Sequence, residues 1–493
     1  MKKYIKTILI FTIALFLTSC SDEYFDVNTP SDATRGEDVS LAELMPTTAL
    51  YVAKLPYLVE AGGVGYYSQH IANKNGGTGV DNADQHYVIT EENAWKNIYL
   101  HAMIQSQVMI DKATDANAIH YAGIAKVMKA VSMGYLIDTW GDVPYSEALL
   151  GTSNPTPAFD SQEDVYNAMM ALLNDAVADM AAADTSGQVP GGDDIFYNGD
   201  MSKWIKAAHT LMARNAIHLT KAGASAAATN ALTHLNMGFA SNADNLQVVY
   251  TSRVKNPWHT SVVLSENTSN NSTMVSDQLV DTMDGTSFPF NTVSLDPRLP
   301  IYVDNGGAAT YKGVDNGDGV EAGDNAYFNG NYVTFDMPLP IITYAEAQFI
   351  RAEAEFLANG GNATSVGTNA AAYQAYQDGI AASMDAVGVS AAAKTAYMAD
   401  TSVDVGMANL AMKHIMREKF VANWLNPETF NDERRYDFSP NVFVDLAQPT
   451  FVNPANGGAW VRRASYPSTE SERNPVNTAA AAQPITTPVW WDM

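Results

Sequence analysis

A mostly α-helical fold carrying long irregular loops and minor β-structure is what this sequence predicts, on three observations. Apolar residues recur at helical spacing in seven separate stretches. Two of those stretches open on residues that cap helix starts, Ser161-Gln162-Glu163-Asp164 and Thr343-Tyr344-Ala345-Glu346, where side chain and backbone satisfy each other's unpaired groups. Between the helical stretches lie segments 60–93, 239–341 and 440–493, in which Asn, Asp, Gly, Tyr and Trp interleave without a period. Segments of that length persist in a compact domain when function or packing orders them.

The chain begins MKKYIKTILIFTIALFLTSC. Lys2, Lys3 and Lys6 precede a short apolar run, Ile8 to Leu17. A bilayer span needs about 20 apolar residues, so the run has the size of a secretory leader. Leu17-Thr18-Ser19-Cys20 resembles a bacterial lipobox, and Cys20 is expected to become the lipidated N-terminus after residues 1–19 are removed. It is the one cysteine in 493 residues, which excludes disulfide frameworks, thiolate zinc sites and cysteine nucleophiles. Residues 20–40 then read as an acidic linker beginning Ser21-Asp22-Glu23, and 41–493 as a single domain.

The first helical stretches are 94–113 and 119–140, with Trp95 on an apolar stripe. "WGDVPY" ends the second; Gly141 permits a tight turn and Pro144 stiffens the exit. Next come 161–180, with Val165, Met169, Leu172, Leu173, Ala176, Val177 and Met180 at helical spacing, and 201–223, which starts beside Trp204. After the long central segment, "AQFIRAEAEFLANGG" sets Ala347, Ile350, Ala354 and Leu357 on one face and stops at Gly360-Gly361. Stretches 370–388 and 405–424 complete the set. Consecutive pairs spanning about 34–45 residues suggest about four helix-turn-helix units of the tetratricopeptide type. Trp490 and Trp491 are expected to pin the C-terminus to the body.

Charge narrows the partners. The 28 basic and 54 acidic residues give a net charge of −26, and removing the three leader lysines takes this to about −29. Such a surface repels nucleic acid. Apolar content of 46% supports a real core, and after residue 20 no apolar run is long enough to span a membrane.

Several strings, taken in order, resemble the SusD/RagB-type nutrient-binding outer-membrane lipoproteins: "DTWGDVPYSEAL" (138–149), "PAFDSQEDVYNAMMALLNDA" (157–176), "KWIKAAHTLMARNAIHL" (203–219), "DPRLPIY" (296–302), "ITYAEAQFIRAEAEFLANGG" (342–361), "REKFVANWLNPETFNDERRYDF" (417–438), "RASYPSTESERNPVN" (463–477) and "VWWD" (489–492). The resemblance implies a SusD-like fold with four tetratricopeptide-like units and no enzymatic activity. It implies a lipid anchor on the outer membrane, facing the cell exterior. It also implies a polysaccharide or oligosaccharide ligand handed to a SusC-like TonB-dependent transporter. RagB-like peptide capture and a tetratricopeptide-type scaffold are the alternatives.

Sugar rings present an apolar C–H face and a belt of hydroxyls, so a glycan site needs exposed aromatic rings beside amide, carboxylate or imidazole groups. Three loops carry both. "YYSQHIANKNGGTGVDNADQHY" (66–87) offers Tyr67, Asn73 and Asp81. "SRVKNPWHTS" (252–261) sets Trp258 beside Asn256 and His259, and Trp258 is the expected stacking platform. "DNAYFNGNYVTF" (324–335) adds Tyr327 and Tyr332. A calcium ion at 314–324 is considered because Asp315, Asp318, Glu321 and Asp324 lie among glycines. The EF-hand spacing fails there, since Gly317 and Gly319 fall where alternate oxygen ligands belong, and a solvated turn is the expectation. No G-x-S-x-G elbow, H-E-x-x-H helix or phosphate-binding G-x-x-x-x-G-K-[ST] occurs, and the nine histidines are scattered.

Overall fold

The computed structural model describes residues 39–75, 82–266 and 272–493. The leader, Cys20, the linker up to residue 38 and Asp81 lie outside the described residues. The principal helices are α1 (Leu41–Ala53), α2 (Ile104–Asp115), α3 (Ile119–Trp140), α4 (Gln162–Ala181), α5 (Met201–His218), α6 (Thr220–Leu235), α7 (Asp277–Asp284), α8 (Tyr344–Ala358), α9 (Ala370–Ala386), α10 (Met412–Ala422) and α11 (Glu428–Arg435). Each periodic stretch predicted from the sequence overlaps one of these. Short strands β1 (Ile71–Asn73), β2 (Leu246–Val248), β3 (Thr273–Val275), β4 (Val303–Asp304), β5 (Tyr327–Phe328) and β6 (Leu339–Ile342) form three antiparallel pairs, β1 with β3, β2 with β6 and β4 with β5.

Two hydrophobic clusters organise these elements. The larger lies among the helices, where α3 packs along α2 and α4, α5 along α6, and α8 along α9. α3 is apolar on nearly every side and buries fifteen of its residues, so it runs through the middle of this layer. It ends at Gly141, whose φ of 86° suits glycine, and a Cβ there would meet the Arg463 guanidinium at 3.1 Å. Trp140, fully buried, donates its indole N–H to Ser465 O at 3.0 Å. Trp95 and Trp204 are buried as their stripes predict. Trp491 donates to Asp138 Oδ1 at 2.9 Å, which ties the C-terminus to α3.

α11 departs from the usual pattern. Its sequence ETFNDERR is strongly polar, yet all eight residues are buried. Pairing makes this possible for all of its charged residues but Glu433, whose carboxyl has no partner and is pushed toward the neutral form by burial, because a buried charge without a partner is costly. Arg435 binds Glu353 of α8 at 2.6 Å and Asp432 at 2.5 Å, and Asp432 also takes Lys419 of α10 at 2.8 Å. Glu428 accepts from His218 of α5 at 2.7 Å, and Arg214 of α5 pairs with Glu346 of α8 at 2.6 Å. These charges bolt helices together from inside.

The second cluster sits among the loops between α6 and α8, together with the C-terminal end of α10. Its spine is a ladder of rings. Tyr57 meets Trp258 edge-on at 5.0 Å, Trp258 stacks on Phe328 at 5.9 Å, and Phe328 stacks on Trp424 at 5.5 Å. Trp424 stacks on Tyr302 at 6.0 Å, and Tyr302 meets Tyr332 at 5.2 Å.

Candidate functional site

At one end of the ring ladder the surface opens into a cleft of about 570 Å³ between α1 and the 250–265 loop. Local sequence sets its first wall. α1 starts on a full capping box, with Ser40 and Glu43 bonding each other's backbone, and gives way to the short helix Leu55–Val59, which carries Pro56 in its first turn. Tyr51 stands before that break and Tyr57 after it, both half-buried, and both line the cleft with Lys54. Tyr51 is held flat against His101, ring centroids 4.4 Å apart and planes 9° apart. Such stacking restricts the ring before any ligand arrives.

The second wall is the loop that the sequence singled out. Asn256 accepts from Trp258 N at 2.8 Å and donates to Met337 O at 2.8 Å, while Asn256 N bonds Phe335 O. With Pro257 following, this fixes the turn and drives the indole inward. Tyr250, Val254, Pro257, Thr260 and Ser261 face the cleft instead. The Tyr250 hydroxyl is buried without a partner, and burial pushes its pKa up. It therefore stays protonated, with its oxygen buried beneath the cleft wall. Lys54 and Lys255 are the charged residues of this lining among the described residues, both cationic in a chain of net charge −26. The arrangement can hold a ring-shaped ligand against tyrosine faces and bond its hydroxyl or carboxylate oxygens.

The residues expected from the sequence fall as follows. Trp258 is 1% exposed and belongs to the second core cluster, so it is a buttress behind Tyr57 and not a stacking platform. Asn256, fully buried, spends its amide on the turn just described. His259 bonds Val333 O through Nδ1 at 2.8 Å and is half-buried. Tyr67 is 1% exposed, donates to Tyr87 O at 2.9 Å and packs edge-on to His86. Asn73 lies on β1, where its side chain accepts from Asn75 N at 2.9 Å. Tyr327 lies on β5 beneath Lys74, whose Nζ is 5.8 Å from the ring centroid. Tyr332, half-buried, lines a separate cavity at the far end of the ladder. The structure thus confines the expected loop to one wall of the cleft and supplies the opposite wall from Tyr51, Lys54 and Tyr57. Sequence reasoning missed those three, although two tyrosines flanking a helix-breaking proline in "LYVAKLPYLVE" were a usable signal.

The 314–324 loop does not assemble a calcium site. Asp324 is engaged by Lys312 at 2.8 Å and by Glu321 N at 2.7 Å. Asp315 turns instead toward Asp277, whose pKa is raised to about 6 by burial and then by that neighbouring carboxylate. The one group of three metal-type ligands among the described residues is Asp138, His218 and Glu428. It sits inside the helical layer, where Arg214 lies 3.8 Å from Glu428 and Trp491 donates to Asp138, so proton donors and a cation already occupy these oxygens. His218 and Arg214 hold Glu428 well below the usual carboxylate range against its burial.

Comparison with known proteins adds a relationship to this geometry. A family model, SusD-like, described as "Starch-binding associating with outer membrane", matches residues 42–467. A solved SusD homologue from Bacteroides uniformis superposes with a TM-score of 0.73 at 20% identity, covering 92% of this chain and 99% of its own. A chitin-binding SusD homologue from Flavobacterium johnsoniae gives 0.72 at 22% identity, covering 92% and 98%. A SusD/RagB family protein from Bacteroides thetaiotaomicron gives 0.69 at 19% identity, covering 92% and 99%. Among curated proteins, none matches this sequence.

Proposed function

The chain belongs to the SusD-like family, whose members associate with the outer membrane, and from that premise we propose that it captures glycan in the cleft between α1 and the 250–265 loop. Members of this family are binding proteins and not enzymes. The observation that carries the reading is the cleft itself: Tyr51, Tyr57 and Tyr250 around one space, with two ammonium groups in the same lining. A chitin-binding homologue of the same fold supports a polysaccharide or oligosaccharide as the ligand. Binding at an open aromatic cleft is weak per sugar and grows with chain length through neighbouring contacts. Affinities of about −4 to −8 kcal/mol, millimolar to micromolar, are expected.

In this reading Cys20 is lipidated and residues 20–40 tether one domain, 41–493, to the outer face of the outer membrane. No helix among the described residues is long and apolar enough to cross a membrane, which is consistent with a tether. The helix pairs, read as tetratricopeptide-like units, face a SusC-like TonB-dependent transporter, and ligand passes to it from the loop layer. No cofactor takes part.

Affinity electrophoresis through gels cast with a panel of neutral and uronate-containing polysaccharides tests the reading. Retardation by at least one is expected, and migration unchanged across the panel would overturn it. Lys54 and Lys255 favour one second reading, capture of an acidic peptide, which would show as binding of Asp/Glu-rich peptides in the absence of any glycan retardation.

A further inference from the structure

The chain carries 54 acidic residues against 28 basic ones, so most lysines have a carboxylate within reach. Lys74, Lys126, Lys206, Lys221 and Lys312 each hold one at 2.6 to 3.1 Å. Lys54 and Lys255, in the lining of the cleft, pair with no carboxylate among the described residues. Lys54 is half-buried and Lys255 exposed. No acidic residue belongs to that lining among the described residues. In a chain of net charge −26, this cleft therefore presents two ammonium groups and no counter-charge.

The hydroxyls of the second wall do not compete with the lysines as donors. Thr260 Oγ1 donates to Asn256 O at 3.3 Å, Ser261 Oγ to Trp258 O at 3.2 Å and Ser265 Oγ to Thr260 O at 3.0 Å. Their protons are turned back onto the chain, and the two ammonium groups, with three donors each, remain to meet a ligand's oxygens. A bond from an ammonium to an ionised oxygen is about twice as strong as one to a neutral hydroxyl. The acidic surface at large repels polyanions, but at physiological ionic strength charges more than about 8 Å away are largely screened. The charges that line the cleft then decide.

We infer that the glycan this cleft takes is anionic, with carboxylate or sulfate groups on its sugar units bound by Lys54 and Lys255 while the rings lie against the tyrosine faces. This rests on the reading of the cleft as a glycan site and departs from starch, the neutral polymer in the family description. A neutral glycan would leave both ammonium groups without an anion, and a cationic one would be repelled by them.

Isothermal titration calorimetry at physiological ionic strength tests this with five probes. They are hexagalacturonate, its full methyl ester, a sulfated carrageenan hexasaccharide, maltohexaose and hexaglutamate. The methyl ester keeps the hexagalacturonate backbone and removes its charge. Hexagalacturonate or the carrageenan hexasaccharide should bind about tenfold more tightly than the methyl ester and maltohexaose, and whichever does so tells carboxylate from sulfate. The double variant Lys54→Gln/Lys255→Gln should bring the preferred anion down to the level of the methyl ester. Lys96→Gln/Lys413→Gln removes the same charge from two exposed lysines outside the cleft lining and should change nothing. Equal binding of a neutral probe and the anionic sugars would overturn the inference and leave glycan capture standing. Hexaglutamate binding as tightly as the better anionic sugar would overturn both, since charge alone would then be read. Anion binding that survives in the Lys54→Gln/Lys255→Gln variant, or no binding of either anionic sugar, would also overturn the inference, with the polysaccharide gels deciding glycan capture separately.

Discussion

The helical layer and the loop layer bury opposite kinds of residue. In the helical layer the polar helix α11 is wholly inside, with Arg435 and Lys419 paired to Asp432 and Glu353. In the loop layer the interior is a ladder of rings, and its last ring, Tyr57, reaches the surface with Tyr51 and two lysines beside it. The difference teaches that residue type does not decide position in this molecule. Partners do. A charge goes inside where another element brings its counter-charge or where burial holds a carboxyl neutral, as at Glu91 and Glu433, and an aromatic ring comes to the surface where the chain beneath it is already filled by another ring.

Breaking the charged side of the comparison should have the largest effect. Arg435→Ala leaves Glu353 and Asp432 buried without their guanidinium, and removal of one partner from such a pair costs about 3–5 kcal/mol. Chemical denaturation should show that loss, and a loss below about 1 kcal/mol would mean the network carries little. Trp258→Ala, the corresponding cut in the ring ladder, should cost a similar ~3–5 kcal/mol because it opens a cavity between Tyr57 and Phe328. A variant that stays fully stable would return Trp258 to the surface.

A third cut uses pH. His86 is 1% exposed with both ring nitrogens unpartnered, between Tyr67 and Trp460, and burial lowers its pKa to about 3. Its folded pKa lies below the unfolded value, so the unfolded chain takes up the proton first as pH falls. Stability is therefore lost on acidification, by roughly 2 kcal/mol between about pH 7 and 5 for this group. Glu91 and Glu433, pushed up by burial, act in the opposite direction over that range. The contribution is thus read as the difference between wild type and His86→Asn, an exchange suited to the positive φ of 59° at this position. Equal pH slopes in the two proteins would contradict the assignment. The smallest expected effect is that of Lys255→Ala. Exposed at the rim, it should change stability by less than ~0.5 kcal/mol, while making any glycan binding less sensitive to salt.

The same contrast explains what was legible in the sequence. Helices α4, α5, α8 and α9 follow from apolar spacing and caps, because a helix that buries one stripe writes that stripe into the chain, and α3 follows from a long run that is apolar on nearly every side. α11 carries no such stripe; its burial depends on His218, Glu353 and Lys419, each brought by a different helix. Residues of the segment 252–261 line one wall of the cleft, but its indole turns inward. Nothing local to Asn256-Pro257-Trp258 reveals that Tyr57, about two hundred residues earlier, already covers the indole. Residues 257–266 form a short helix, and the side its ring faces is set by tertiary contacts.

The most direct test of the central claim, that the cleft and not Trp258 meets glycan, is affinity electrophoresis of wild type, Tyr51→Ala and Thr260→Trp through the polysaccharide that retards wild type most. Both substitutions lie on the cleft and outside the ring ladder; Tyr51→Ala gives up the stack on His101 at a cost of about 1 kcal/mol, Thr260→Trp should leave thermal unfolding nearly unchanged, and in both retardation should fall about tenfold or more, equivalent to ~1.4 kcal/mol. Retardation equal to wild type in both folded variants would place the glycan elsewhere and contradict the account.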